Sequence, residues 1–149
     1  MNKSDLLDEL RLEVGQVLDY AQSLTEFYRG IVWTIGEHLT EGFAVGLYIS
    51  HPPHFELCSS VGEVSPGRFE RFGEGMLSIS AIRSHLLVQE TASRNCIISP
   101  FFEGHHLKGF FVIETPKMEY PLTEEDIIFV KEVTRFIEVH HIYYQNSCL

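Results

Sequence analysis

The sequence predicts an α+β domain, in which an antiparallel sheet is flanked by long N-terminal and C-terminal helices. Three observations predict it. Apolar residues recur at helical spacing near both ends of the chain. The middle is a series of short β-rich runs separated by Gly and Pro. The 149 residues, 44% hydrophobic and 21% charged, have the size and composition of one globular domain.

From residue 4 to 39, Leu7, Leu10, Val14, Val17, Ala21, Leu24, Tyr28, Ile31, Ile35 and His38 alternate steps of three and four. That is a heptad seam, and it predicts one long amphipathic helix with Ser4 as its N-cap. At 1.5 Å per residue such a helix outruns one face of a small domain, so part of it should pack on a second copy. A break into two helices on the chain's own sheet is the alternative. Gly15 and Gly30 lie off the seam and could mark a bend.

Strands are expected over residues 43–50 and 55–61, joined through His51-Pro52-Pro53-His54, where two prolines suit a hairpin tip. Residues 69–72 form a short strand. Gly73-Glu74-Gly75 then turns into a helix over 76–84, and 86–89 is another brief strand. A second hairpin follows, with strands at 97–103 and 108–115 rich in Phe, Val and Ile. Thr123 opens the last helix as its N-cap, with Asp126 reaching back from the third position. Ile127, Val130, Val133, Ile137, His140 and Tyr144 carry its apolar stripe. The organisation is one domain over 1–149: a helical region (1–41), a sheet and pocket region (42–116), and a C-terminal helix and tail (117–149).

Charge narrows the partners. Eleven basic against twenty-one acidic residues give a net charge of −10. That excess argues against nucleic acid and anionic membrane, which need clustered Lys and Arg. Residues 1–41 hold three basic and eight acidic residues, 42–100 four and five, and 101–149 four and eight. The near-neutral middle leaves room for a small anionic ligand. The opening residues lack the apolar stretch of a secretory signal, and no apolar run approaches a membrane span. Cys58, Cys96 and Cys148 are odd in number and widely spaced, as in a reducing compartment, so a cytoplasmic location is expected.

The residues at the joints of this order resemble a GAF domain, of the wider GAF/PAS-like architecture. The resemblance is carried by Gly73-x-Gly75 before a helix with Ser78, Ser80 and Ala81, by Pro100 in its strand, and by Gly104 at a hairpin turn. The return Lys108-Gly109-Phe110-Phe111-Val112-Ile113 and the opening Leu122-Thr123-Glu124-Glu125-Asp126 complete it. It spans residues 24–144. It implies a small-ligand pocket between the sheet and the segment after the third strand. By position, that pocket would take Tyr48, Met76, Ser78, His85, Cys96, Phe101 and Phe111 as ligand-binding residues, unless they are simply core. The resemblance also implies dimerisation through terminal helices. Here Leu10, Val14, Val17, Leu24, Tyr28, Ile31, Val133, Ile137 and His140 would form the interface.

No catalytic residue is expected. Free methionine-R-sulfoxide reductases share the family and the length, but they resemble one another in carrying Cys beside the glycine turn. Residues 68–72 and 76–80 contain none. No metal site is expected either. His51 and His54, His105 and His106, and His140 and His141 fall in three separate places, and a site needs three or four converging ligands. The connection over 91–99 is short beside the lids of many ligand-binding relatives, which implies a small ligand, an open groove or none. The expectation is therefore a non-catalytic sensing module, acting as a homodimer on a partner protein, with its cofactor unknown. A ligand-free dimerisation scaffold is the alternative, and a sulfoxide reductase-like enzyme lies behind it.

Overall fold

The structure, a computed structural model, describes residues 2–148, with side chains described through Tyr144. Helix α1 (Lys3–Gln16) starts where the Asn2 side chain accepts a hydrogen bond from the Asp5 amide at 2.8 Å, so Asn2, rather than Ser4, is the N-cap. The helix does not continue to residue 39. A 3-10 turn (Val17–Asp19) ends it, and α2 (Leu24–Gly36) begins afresh. Ser23 caps α2 by accepting from the Glu26 amide at 3.1 Å, while the Glu26 carboxylate reaches back to the Gln22 amide at 2.8 Å. Folding back brings α2 against the turn so closely that a Cβ on Gly30 would lie 2.8 Å from Val17 Cγ1.

The strands are β1 (Ala44–His51), β2 (His54–Val61), β3 (Phe69–Arg71), β4 (Leu87–Glu90), β5 (Arg94–Glu103) and β6 (His106–Pro116). They form one antiparallel sheet in the order β3-β2-β1-β6-β5-β4. Helix α3 (Met76–Arg83) lies between β3 and β4 in sequence, and α4 (Glu124–His140) follows β6. The expected capping of α4 is present, with the Asp126 carboxylate accepting from the Thr123 amide at 2.9 Å.

Alternation along each strand splits the core in two. Val45, Leu47, Ile97, Phe101, Phe111 and Ile113 pack with α1, α2 and α4 on one face. Ala44, Tyr48, Phe55, Cys96, Ile98, Phe110 and Val112 pack with Leu77 of α3 on the other. The heptad seam is thereby accounted for within one chain. Leu10, Val14, Val17, Tyr28, Ile31, Val133 and Ile137 are all buried in the first core, and Leu24 packs against it. The premise that an unbroken helix must seek a second copy is therefore corrected, because two shorter helices cover one sheet face. Among the described residues, no helix is long and apolar enough to cross a membrane.

Candidate functional site

The α3-covered face carries two buried carboxylates, Glu70 and Glu114. Glu70 of β3 is buried at the start of α3, where its carboxylate accepts from the amides of Leu77 (3.1 Å) and Ser78 (2.8 Å) and from the Ser78 hydroxyl (2.8 Å). A carboxylate suits these free amides at a helix start. The glycine turn makes room for it. Gly73 has φ +89°, open to glycine at little cost, whereas a Cβ on Gly75 would collide with the Glu70 carboxylate.

Glu114 of β6 is fully buried on the same face. It accepts hydrogen bonds from the Ser65 amide and from the Ser65 hydroxyl (2.5 Å), and Arg94 Nη1 stands 3.6 Å away. Arg94 also donates to the Glu63 carbonyl at 2.7 Å, and the Tyr48 hydroxyl donates to the Gly67 carbonyl at 2.6 Å. The loop over residues 62–68 is thus tied to the sheet at three points. Outside those ties runs a groove of about 380 Å³, lined by Leu57, Ser60, Gly62, Glu63, Val64, Gly67 and Arg68.

Cys96 lies below α3, its sulfur 3.9 Å from Met76 Sδ. Burial pushes its thiol well above the usual range, and the adjacent Glu114 carboxylate adds to the shift, so the thiol is held protonated. Burial, with Glu114 contributing, does the same to the Tyr48 phenol. Cys58 lies in an irregularity of β2 and packs toward the helices, with burial again raising its thiol. Cys58 and Cys96 therefore belong to opposite faces, and Cys148 lies outside the residues whose side chains are described.

Of the seven residues expected to line a pocket, Tyr48, Met76, Ser78 and Cys96 come together here. His85 is exposed in the turn after α3, its Nδ1 2.6 Å from the Arg83 carbonyl. Phe101 and Phe111 belong to the opposite core, so their placement beside Met76 is corrected. The phase of β6 puts Phe110, rather than Phe111, on the α3 side. Sequence reasoning passed over Glu114 and Glu70. Glu114 shares the phase of Phe110 and Val112, so it carries an ionisable group onto an interior strand face, which is a legible sign of a specific site.

No family model and no curated protein matches the sequence. Solved structures do match. The free methionine-R-sulfoxide reductase of Neisseria meningitidis, in complex with its substrate, superposes with a TM-score of 0.82 at 16% identity, over 100% of this chain and 95% of that one. The GAF domain of a phosphoenolpyruvate-protein phosphotransferase from Coxiella burnetii gives 0.75 at 18% identity, over 98% and 99%. Its Acinetobacter counterpart gives 0.75 at 15% identity, over 99% and 98%. The expectation that the chain is not an enzyme is overturned as a conclusion, because the same fold serves a reductase along its whole length. Sheet order, the single helix on one face and these superpositions agree: the chain has the GAF fold.

Proposed function

We propose that this GAF module binds a small polar ligand in the groove beside the 62–68 loop and relays occupancy to a partner protein. The groove carries the reading. Its volume of about 380 Å³ falls within the range of small-molecule sites, and Glu63 and Arg68 line it with opposite charges, which suits a small zwitterion or anion. Tyr48 and Glu114 hold the same loop from beneath, so a ligand that favours one loop position would shift the population of that position. The expected homodimer is retained with different contacts, the outward faces of the terminal helices, where Leu12 (65% exposed), Trp33 (55%) and Ile128 (45%) face solvent.

A thermal-shift panel of amino acids, their sulfoxides, inorganic anions and nucleotides tests the reading. A true ligand stabilises by RT ln(1 + [L]/Kd), about 2.7 kcal/mol at 100 times Kd. The shift should vanish in Arg68→Ala. A panel in which nothing raises the melt sinks this reading and favours the ligand-free scaffold. A second reading, sulfoxide reduction on this face, is favoured by the likeness to the reductase, while the buried, protonated Cys96 would have to be exposed to take part. Methionine formed from the free sulfoxide with dithiothreitol as reductant, and lost in Cys96→Ser, supports it. No turnover by the unmodified chain removes it.

A further inference from the structure

The helical layer holds a second group of functional side chains, remote from the α3 face. Glu9 and Glu13 are one turn apart on α1, so both project from the same side of that helix. His38 follows α2, which folds back alongside α1 and returns the imidazole to the two carboxylates. One ligand atom from each residue lies within 4.8 Å of the other two, and all three residues are half-buried. We propose that Glu9, Glu13 and His38 form a binding site for a divalent transition-metal ion, zinc being the best fit.

Three features carry this assignment. The donor set is mixed, with one imidazole nitrogen and two carboxylate oxygens, which selects zinc-like ions over magnesium or calcium with their preference for oxygen alone. The spacing suits the ion. Ligands about 2.0–2.2 Å from zinc stand about 3.3–3.6 Å apart in a tetrahedron, so modest side-chain rotation that draws Glu9 in and parts His38 Nε2 from Glu13 Oε2 reaches that spacing. Finally, Glu13 Oε2 lies against His38 Nε2, and the Glu9 carboxylate stands beside the same pair. One imidazole thus faces two carboxylates, which repel each other. A divalent ion would neutralise the Glu9–Glu13 pair and leave a fourth position for water. It would clip the middle of α1 to the end of α2. The hairpin-tip histidines, His105 and His106, take no part.

The test is titration of chelator-stripped protein with zinc chloride by calorimetry, paired with a thermal melt. One zinc per chain is expected, with a raised melting temperature. His38→Ala should weaken binding by about 100-fold or more and abolish the thermal shift. Glu9→Gln, which keeps the side chain's size and removes its charge, should weaken it at least about tenfold. The His105→Ala/His106→Ala double variant should bind as the unmodified chain does. Excess magnesium should not compete. Zinc binding unchanged in both His38→Ala and Glu9→Gln would overturn the assignment, as would binding lost only with His105 and His106. No binding at all would leave the three side chains as a plain His–Glu ion pair and would equally refute it.

Discussion

At the scale of the residue, His141 shows what burial does to a titratable group. It follows the last turn of α4 and is fully buried, its Nδ1 3.1 Å from the Tyr28 hydroxyl and its ring edge-on to Phe101 at 5.7 Å. Nε2 is buried with no hydrogen bond. Burial lowers the pKa because an imidazolium there would lose its water; Glu103 and Glu138 pull the other way, and Lys108 adds to the lowering. The folded state therefore binds this proton less readily than the unfolded chain, whose histidines titrate near about 6.5. Stability is fully present above that pH and is lost as pH falls toward the lowered pKa, by at most about 1.4 kcal/mol per pH unit for this one proton. Urea midpoints at successive pH values between 7.5 and 5.5 should fall, and fall less in His141→Gln. An identical slope in the variant would assign the effect elsewhere. The sequence stripe pointed to His140, which is only half-buried. The helix ends at that residue, and the following 3-10 turn rotates the next ring inward. The same single-step error separated Phe111 from Phe110, because an irregularity in β6 at Lys108, opposite Phe101/Phe102, hides the phase of the hairpin.

At the scale of the element, the join between α1 and α4 is a compact latch. Lys3 Nζ donates to Asp126 Oδ2 at 2.7 Å and to the Pro121 carbonyl at 2.7 Å, and it lies 4.2 Å from the centre of the Tyr120 ring. Asp126 also accepts from the Tyr120 hydroxyl at 2.7 Å, so one carboxylate caps α4 and receives the start of α1. Because Asp126 is buried and Lys3 only partly exposed, this pair should count for more than a surface ion pair. Asp126→Asn is expected to cost about 2 kcal/mol, and a double-mutant cycle with Lys3→Met should return a coupling of about 1 kcal/mol. A coupling indistinguishable from zero would mean that the cap alone holds the join. The capping of α4 was legible from Thr123 and Asp126, and all six strands were legible from their β-rich runs. The break between α1 and α2 was obscured by the seam itself. Val17, Ala21 and Leu24 keep the three-four spacing through a turn because all three still face the same core. The missed sign was Ser23-Leu24-Thr25-Glu26, a capping-box pattern inside an apparently continuous helix.

At the scale of the whole molecule, charge and shape act together on self-association. The two terminal regions hold nearly all of the −10, and their helices share one face of the sheet, so the molecule has an acidic helical layer over a nearly neutral sheet. Two copies meeting through that layer would bring like charges together, with Leu12, Trp33 and Ile128 among the exposed apolar side chains available for contact. The repulsion is long-ranged in dilute salt and screened at physiological ionic strength, where the Debye length falls from about 30 Å to about 8 Å. Apolar burial changes little over the same range. The proposed dimer should therefore tighten as salt rises from about 0.01 M to about 0.15 M, and sedimentation at micromolar protein reads this directly. Trp33→Ser should abolish the association at both ionic strengths, since it removes the largest exposed apolar side chain of that layer. A dimer that loosens with added salt would be held by ion pairs instead and would place the contact away from the acidic layer. A monomer throughout would remove self-association from the proposed function, while leaving the groove and its ligand to be judged on the thermal-shift panel alone.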